Sequence, residues 1–287
     1  MNADALTTLH RDMGVPGSVP RVLSIAGTDP SGGAGIHADL KSIAACGGYG
    51  MAAVSALTAQ NTRGVVSVHV PPVSFLRDQL QAISDDITVD AVKTGMLFNT
   101  EIIQTVQAWL EENRPPVVVM DPVMVATSGD RLLQTEAEQA VRDLLPVVDL
   151  ITPNVPELAV LLQEEPATSQ NQLIEQAQRL AERTGVLVLA KGGHLTEQVV
   201  KDVLVGADGP QAEATSPRLD VTTTHGTGCS LSAALATLRA RRGDWGQALT
   251  EAKAWLSRAV QDGGELQVGG GHGPVSHFAA LWEAARS

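Results

Sequence analysis

The chain has 287 residues, a formal net charge of −12, 44% hydrophobic and 3% aromatic residues, and two cysteines. This acidic balance, with only five lysines, argues against nucleic acid as a partner, because phosphate backbones are bound by basic faces. Cys46 and Cys229 are too few and too far apart for a disulfide framework, which favours a reducing, cytoplasmic setting. No apolar run reaches the roughly 20 residues of a membrane span, so no membrane partner is expected.

Residues 1–20 predict a flexible N-terminal leader, because Gly14, Pro16, Gly17 and Pro20 discourage regular structure. Residues 21–287 then predict a single domain in which short apolar runs alternate with helical patterns. Buried strands are predicted at 22–27, 52–60, 91–96, 117–124, 149–154 and 186–193. Helices are predicted near 34–46, 73–85, 99–112, 134–145, 155–163, 170–184, 229–242, 245–261 and 275–286.

This alternation predicts an α/β fold, because continuous apolar strands are typical of a parallel sheet covered on both faces. The segment 199–219 differs and predicts a hairpin or meander at the sheet edge. Ligands of such sheets bind beyond the carboxyl ends of the strands. Polar or glycine residues follow six of the predicted strands, so we expect a binding site along that edge.

The segment Thr222–Cys229, TTTHGTGC, directly precedes an apolar helix pattern and is the most informative stretch of the chain. Gly226, Thr227 and Gly228 allow a tight turn whose N–H groups meet at a helix N-terminus, where an anion is stabilised. A thiol at Cys229 is expected to have a lowered pKa there. The pattern predicts a phosphotransfer centre, and a glycine turn capping an ordinary helix, with Cys229 as apolar filler, remains the alternative.

The glycine-rich segment 27–35, GTDPSGGAG, lacks both the dinucleotide and the P-loop spacing, and it predicts a loop that approaches a small ligand. Asp39 in the following helix is either a ligand for a polar substrate or a structural acid, with the structural interpretation favoured. Gln60 offers a donor and an acceptor that suit an aminopyrimidine or pyridine edge, or else it satisfies a turn. Met96 is either core or a wall of the substrate site.

Further polar residues at the strand ends suit a nucleotide phosphate and its cation. Asp121 interrupts an apolar strand, and Glu157 lies three residues after Asn154, so their oxygens could serve Mg²⁺, although Glu157 could merely favour a helix dipole. Lys191 follows the strand VLVLA and could neutralise transferring phosphate. His225 could contact phosphate or shape the turn.

Together these segments resemble the ribokinase-like superfamily, and more closely the bacterial hydroxymethylpyrimidine and phosphomethylpyrimidine kinases. The resembling segments span nearly all of the chain after the leader: SIAGTDPSGGAGIHADLK (24–41), ALTAQNTRGV (56–65), KTGM (93–96), DPVMVATSGDRLL (121–133), LITPNVPEL (150–158), KGGH (191–194) and THGTGCSLSAALA (224–236). Many superfamily members have an aspartate base where this chain has Cys229, and cysteine is typical of the pyrimidine kinases.

The resemblance implies a three-layer α/β/α sandwich with a mostly parallel central sheet. It also implies ATP- and Mg²⁺-dependent phosphorylation of 4-amino-5-hydroxymethyl-2-methylpyrimidine, first to the monophosphate and then to the diphosphate, by a homodimer. The implied residues around the ring are Gln60, Asp39, Ala34, Thr58, Met96 and Val123. Those implied for phosphoryl transfer are Gly226, Thr227, Gly228, Cys229 and Lys191. Those implied for ATP are Asp121, Asn154, Glu157, Lys191, Thr224 and His225, with Asp121 and Glu157 on the metal.

Two other functions remain open at this point. A pyridoxal-type kinase has the same fold and chemistry, and its substrate is also a planar heterocycle with a hydroxymethyl group. A pyrimidine-binding regulator without catalysis would keep the pocket, but the presence of Cys229, Lys191, Asp121 and Glu157 argues against it. A nucleotide-binding oxidoreductase is disfavoured because the glycine spacing of its fingerprint is absent.

Overall fold

The computed structural model describes residues 18–126, 129–195 and 197–286. The predicted leader therefore falls almost entirely outside the described residues. The strands are β1 Arg21–Ala26, β2 Tyr49–Val54, β3 Leu57–Asn61, β4 Gly64–His69, β5 Ala91–Thr94, β6 Val118–Met120, β7 Leu150–Ile151, β8 Leu187–Lys191, β9 Val199–Gly206 and β10 Gly209–Pro217. The helices are α1 Gly35–Ala45, α2 Val73–Ser84, α3 Thr100–Asn113, α4 Glu138–Leu144, α5 Val155–Leu162, α6 Gln170–Thr184, α7 Thr227–Arg242, α8 Trp245–Gln261 and α9 Ala279–Arg286.

Eight strands form one sheet in the order β10-β9-β8-β7-β6-β5-β1-β2. Within this sheet, six neighbouring strands pair in parallel: β8, β7, β6, β5, β1 and β2. β9 pairs antiparallel with β8, and β10 pairs antiparallel with β9. The predicted parallel sheet and the hairpin at its edge are therefore confirmed. A parallel arrangement brings the carboxyl ends of the central strands to one edge, where the candidate site lies.

Alternate strand residues enter two separate hydrophobic clusters, one on each face of the sheet. Leu23 and Val118 face the cluster built with α2 to α6, whereas Val22 and Val119 face the cluster built with α1, α7 and α8. This alternation reflects the two-residue period of a β-strand, applied to strands that are apolar on both sides. The result is the expected three-layer α/β/α sandwich. Among the described helices, none is long and apolar enough to cross a membrane.

The prediction of one strand over 52–60 is wrong, because the chain leaves the main sheet after β2. Ser55 donates its backbone N–H to the Ala26 carbonyl and its hydroxyl to the Met96 carbonyl, which bends the chain at this point. The next residues form β3, which pairs with β4 in a separate two-stranded antiparallel sheet. A register shift between Ala59 and Gln60 marks a bulge, a feature that redirects a side chain.

The predicted helix ends also differ at two places. The segment predicted at 134–145 begins as a 3₁₀ turn over Thr135–Ala137, and only then continues as α4. The segment predicted from 275 becomes helical only at Ala279, because the Ser276 N–H is bonded to the Ala259 carbonyl of α8. Neither difference moves a predicted site residue.

Candidate active site

A cavity of about 770 Å³ lies at the carboxyl edge of the sheet, between the loop after β1, the β3 strand and the start of α7. Most of the predicted site residues line it. They are Ala34, Gln60, Met96, Asp121, Val123, Asn154, Glu157, Lys191, Thr224, His225, Gly226, Thr227, Gly228 and Cys229. The structure therefore brings together residues that are up to 195 positions apart in the sequence, as the predicted clustering at one sheet edge requires.

The turn before α7 is packed directly against the loop after β1. Gly226 has φ of 78°, and a Cβ at this position would overlap the carbonyl oxygen of Gly33. Only glycine fits, because the backbone is left-handed and the approach is so close. α7 begins at Thr227, so its N-terminal N–H groups lie at the cavity, as the TTTHGTGC pattern predicts.

Asp121 and Lys191 face this turn from the ends of β6 and β8. The Lys191 ammonium lies 3.6 Å from Asp121 Oδ1, and Thr152 Oγ1 donates a hydrogen bond of 3.2 Å to the same oxygen. A Cβ on Gly228 would lie 3.4 Å from Asp121 Oδ2 and 3.7 Å from the Lys191 ammonium. A carboxylate and a cation are thus held beside the first turn of α7, which suits a phosphate with a bound metal ion.

Asn154 and Glu157 form a capping box at the start of α5. Asn154 Oδ1 accepts from the Glu157 N–H at 2.9 Å, and Glu157 Oε2 accepts from the Asn154 N–H at 2.8 Å. Burial is the main reason that the pKa of Glu157 is raised to about 7; the nearby Asp121 charge contributes in the same direction, and Lys191 opposes both. The carboxylates of Glu157 and Asp121 therefore repel each other in a buried setting that a cation would stabilise.

Cys229 is partly buried at the cavity wall. Burial raises the pKa of its thiol to about 12, although the Lys93 charge and the Gly35 N–H lower it. The expectation of a lowered thiol pKa is wrong, because the helix N-terminus does not compensate for desolvation and for the nearby Asp39 and Asp121 charges. Cys229 nevertheless lines the cavity from the first turn of α7.

Two predicted ring contacts, Asp39 and Thr58, do not line the cavity. Asp39 is fully buried behind Lys93, whose ammonium lies 2.9 Å from both of its carboxylate oxygens, and Ser24 Oγ donates to Oδ2 at 2.6 Å. Thr58 Oγ1 donates to the Thr28 carbonyl at 2.8 Å and so holds β3 against the loop after β1. Direct substrate contact by either residue stays a prediction that these bonds do not support.

The residues at the cavity that sequence reasoning missed include Lys93 and Asp29. Lys93 is fully buried; burial lowers its pKa, but the Asp39 carboxylate and the other nearby negative groups together outweigh that effect, so the net shift is upward and the ammonium stays charged. A lysine in the apolar strand β5, in a chain with five lysines, was an available signal. Asp29 lies in the glycine-rich loop, where several donors converge on its carboxylate.

Comparison with known proteins identifies relatives of this chain in sequence and in structure. The chain matches the family described as phosphomethylpyrimidine kinase over residues 29–276. It is 48% identical over 261 residues to the hydroxymethylpyrimidine/phosphomethylpyrimidine kinase of Escherichia coli, a match that covers 91% of this chain and 98% of that protein.

A second relative is the thiamine biosynthesis multifunctional protein ThiED of Corynebacterium efficiens. It is 54% identical over 268 residues, which cover 93% of this chain and 36% of that protein, so the chain spans about a third of its length. Among solved structures, the ADP complex of Bacillus subtilis pyridoxal kinase has a TM-score of 0.83 and 33% identity, covering 92% of this chain and 99% of that one.

The similarity to kinases along nearly the whole chain, in fold as well as in sequence, places the protein in the ribokinase-like fold class. Within that class it belongs to the phosphomethylpyrimidine kinase family, because the family match extends from the loop after β1 to the segment before α9. The predicted fold and family are thereby confirmed.

Proposed function

We propose that the protein phosphorylates 4-amino-5-hydroxymethyl-2-methylpyrimidine with ATP, and then phosphorylates the resulting monophosphate to the diphosphate, as a step of thiamine biosynthesis. The observation that carries this proposal is one cavity in which the α7 N-terminus, Asp121 and Lys191 lie together with Gln60 and Met96. One group of residues suits phosphate, and the other suits a small heterocycle. The names of the relatives support the same pair of substrates.

The heterocycle would lie at the end of the cavity formed by the loop after β1 and by β3. Ala34, Met96 and Val123 supply an apolar wall, and Gln60 supplies an amide that can both donate to and accept from a ring edge. Thr58 and Asp39 would act indirectly, through the backbone of Thr28 and through Lys93.

ATP would lie with its phosphates between the α7 turn and Lys191. Lys191 would neutralise charge on the transferring group, and Asn154, Thr224 and His225 would border the nucleotide side. ATP use is supported by the bound ADP in the Bacillus subtilis neighbour.

The residues present fit a magnesium ion. Asp121 and Glu157 are two buried carboxylates whose mutual repulsion a cation would relieve, and Mg²⁺ commonly needs only one or two carboxylates besides the substrate phosphates. Within the described residues, no group of three or more His, Cys, Asp or Glu is arranged to hold a metal by itself. When bound, the ion would neutralise charge on the nucleotide phosphates.

In the first reaction, the hydroxymethyl oxygen forms a bond to the γ-phosphorus, the bond from that phosphorus to the bridging oxygen breaks, and ADP leaves. The hydroxyl proton goes to Cys229, which must first lose its own proton, because burial raises the pKa of this thiol to about 12 and Lys93 and the Gly35 N–H offset that effect only in part. The α7 N–H groups stabilise charge on the phosphoryl oxygens, an effect of about 3 kcal/mol for each donor. In the second reaction the attacking phosphate oxygen is already anionic, and no proton has to be removed.

A second candidate substrate is pyridoxal, which the structural similarity to pyridoxal kinase favours.

We further propose a cytoplasmic homodimer. Cytoplasmic location is supported by two free cysteines. Dimerisation is supported by exposed apolar side chains around β2 and the β3–β4 hairpin, namely Tyr49, Leu57, Val66 and Phe75.

Incubation of the protein with ATP, Mg²⁺ and either the pyrimidine alcohol or pyridoxal, followed by separation of mono- and diphosphate products, tests the proposal. We expect both pyrimidine products. Turnover of pyridoxal alone would contradict the proposal and indicate a vitamin B6 kinase. Tight pyrimidine binding without transfer would also contradict it and indicate a regulator.

A further inference from the structure

The loop after β1 and the turn before α7 are joined by a side-chain hydrogen bond between residues 196 positions apart. His225 Nε2 lies 2.8 Å from Asp29 Oδ2, and both side chains are buried. We propose that Asp29 and His225 are positioning residues, which hold the wall that receives the pyrimidine at a fixed distance from the turn that receives the phosphoryl group. This inference rests on the proposed function of the cavity.

The Asp29 carboxylate fixes the backbone of its own loop in addition to its bond with His225. Oδ2 also accepts from the N–H groups of Gly33, at 3.1 Å, and Ala34, at 2.8 Å. Oδ1 accepts from the backbone N–H and the hydroxyl of Ser31, at 2.9 and 2.7 Å. One carboxylate therefore fixes the backbone of Ala34 at the proposed substrate wall and reaches His225 with the same oxygen.

His225 is equally constrained on the side of the phosphoryl-binding turn. Its backbone N–H donates to the Gly273 carbonyl at 3.1 Å, and a Cβ on Gly33 would overlap the imidazole ring. The next residue is Gly226, which touches the Gly33 carbonyl. The ring is thus wedged between the loop and the turn, with its Nε2 committed to Asp29.

This arrangement determines the distance between the two reactants. Ala34 borders the pyrimidine side and Gly226 begins the phosphoryl side, but they belong to segments that share no secondary structure. A displacement of about 1 Å between reacting groups can cost on the order of 100-fold in rate. Loss of the hydrogen bond between His225 and Asp29 should therefore reduce transfer much more than it weakens the binding of ATP.

The test compares His225→Ala, His225→Gln and Ser31→Ala in steady-state kinetics, with kcat and the KM values for ATP and pyrimidine measured separately. Glutamine keeps a side-chain donor that can reach Asp29, whereas alanine does not. Ser31→Ala removes a hydrogen bond to the other oxygen of the same carboxylate and leaves the bond between His225 and Asp29 intact, so it is the matched control.

We expect His225→Ala to lower kcat about 100-fold while the KM for ATP changes less than about threefold. We expect the kcat of His225→Gln to be at least about tenfold higher than that of His225→Ala. We expect the kcat of Ser31→Ala to stay within about threefold of the wild-type value. Melting temperatures identify any variant that does not fold. Such a variant is replaced in the comparison by Asp29→Asn, which keeps the shape of the Asp29 side chain.

Three results would overturn the inference. One is a higher KM for ATP with unchanged kcat, because His225 would then contact the nucleotide directly. The second is an equal loss of kcat in His225→Ala and His225→Gln. The third is an equal loss of kcat in Ser31→Ala and His225→Ala. The wild-type reaction separates this inference from the proposed function: if the wild type phosphorylates pyridoxal and not the pyrimidine, the same variants are compared with pyridoxal.

Discussion

The Lys93 ammonium lies 2.9 Å from both carboxylate oxygens of Asp39, and neither side chain has any exposed surface. This buried pair joins β5 to α1 directly beneath the cavity. Ser24 adds a hydrogen bond to the same carboxylate, so that its charge has three donor contacts. Removal of one partner would leave an unpaired buried charge.

Lys93→Met should lower the free energy of unfolding by about 3–5 kcal/mol, because the buried Asp39 carboxyl would lose its cation and, since burial already raises its pKa, would have to take up a proton or stay unpaired. Urea denaturation measures this change. The control is Lys201→Met, which breaks the exposed pair between Lys201 and Glu213 and should cost less than about 1 kcal/mol. A loss for Lys93→Met as small as that of the control would contradict the assignment. Partial recovery in the double variant with Asp39→Asn would support it.

Cys229→Ala should reduce the first phosphorylation by about 100-fold and the second by much less, since only the hydroxyl has a proton to lose. Single-turnover measurements with the alcohol and with the monophosphate separate the two steps. Cys46→Ala is the matched control, because Cys46 is the other free cysteine and does not line the cavity. Equal losses in both steps for Cys229→Ala would exclude its role as a base.

Gln60→Ala should raise the KM for the pyrimidine by about tenfold and leave the KM for ATP unchanged, because a lost hydrogen bond to the ring edge costs about 1 kcal/mol or more. Initial rates at varied concentrations of each substrate give both constants. Asn61→Ala is the control: this neighbouring amide is exposed and bonds only locally, to the Arg63 N–H at 2.9 Å. A change in the KM for ATP in Gln60→Ala would place this amide elsewhere in the cavity.

The stability of the protein should fall as the pH decreases from about 6.5 to about 4, in part because of His277. Burial and, to a smaller extent, the Lys41 charge together lower the pKa of this histidine from 6.5 to about 4. In this pH window the unfolded chain binds a proton that the folded protein excludes, so protonation favours unfolding, by about 3 kcal/mol at most.

Urea denaturation at several pH values measures that slope. His277→Gln should flatten it, whereas His69→Gln should not, because His69 is exposed on β4. An unchanged slope in His277→Gln would show that other groups account for the pH dependence. His277 also lies 3.0 Å from the Ser230 hydroxyl, so the variant's stability at neutral pH is measured alongside.

Much of the fold can be predicted from short-range patterns in the sequence. The parallel strands are recognisable because they are apolar on both faces, and α7 because glycines precede an apolar period of 3.6 residues. The bend at Ser55 is not recognisable in this way. It depends on bonds from Ser55 to Ala26 and Met96, which are distant in the chain, so the β3–β4 hairpin could not be predicted.

The candidate site likewise has features that the sequence predicts and features that it does not. Residues at strand ends, such as Asp121 and Lys191, were predictable because parallel strands end at one edge of the sheet. Electrostatic properties were not predictable, since they depend on burial and on charges from several segments. Cys229 illustrates this: a helix N-terminus suggests a lowered pKa, yet desolvation and the charges of Asp39 and Asp121 raise it.

In the proposed function, one cavity carries out both phosphorylations. The most direct test is the inhibition of monophosphate phosphorylation by the pyrimidine alcohol at constant, saturating ATP, with the diphosphate measured separately. If one site serves both steps, the alcohol will inhibit competitively, with an inhibition constant equal to its own KM as a substrate. Noncompetitive inhibition, or no inhibition at concentrations that saturate the first reaction, would contradict the claim.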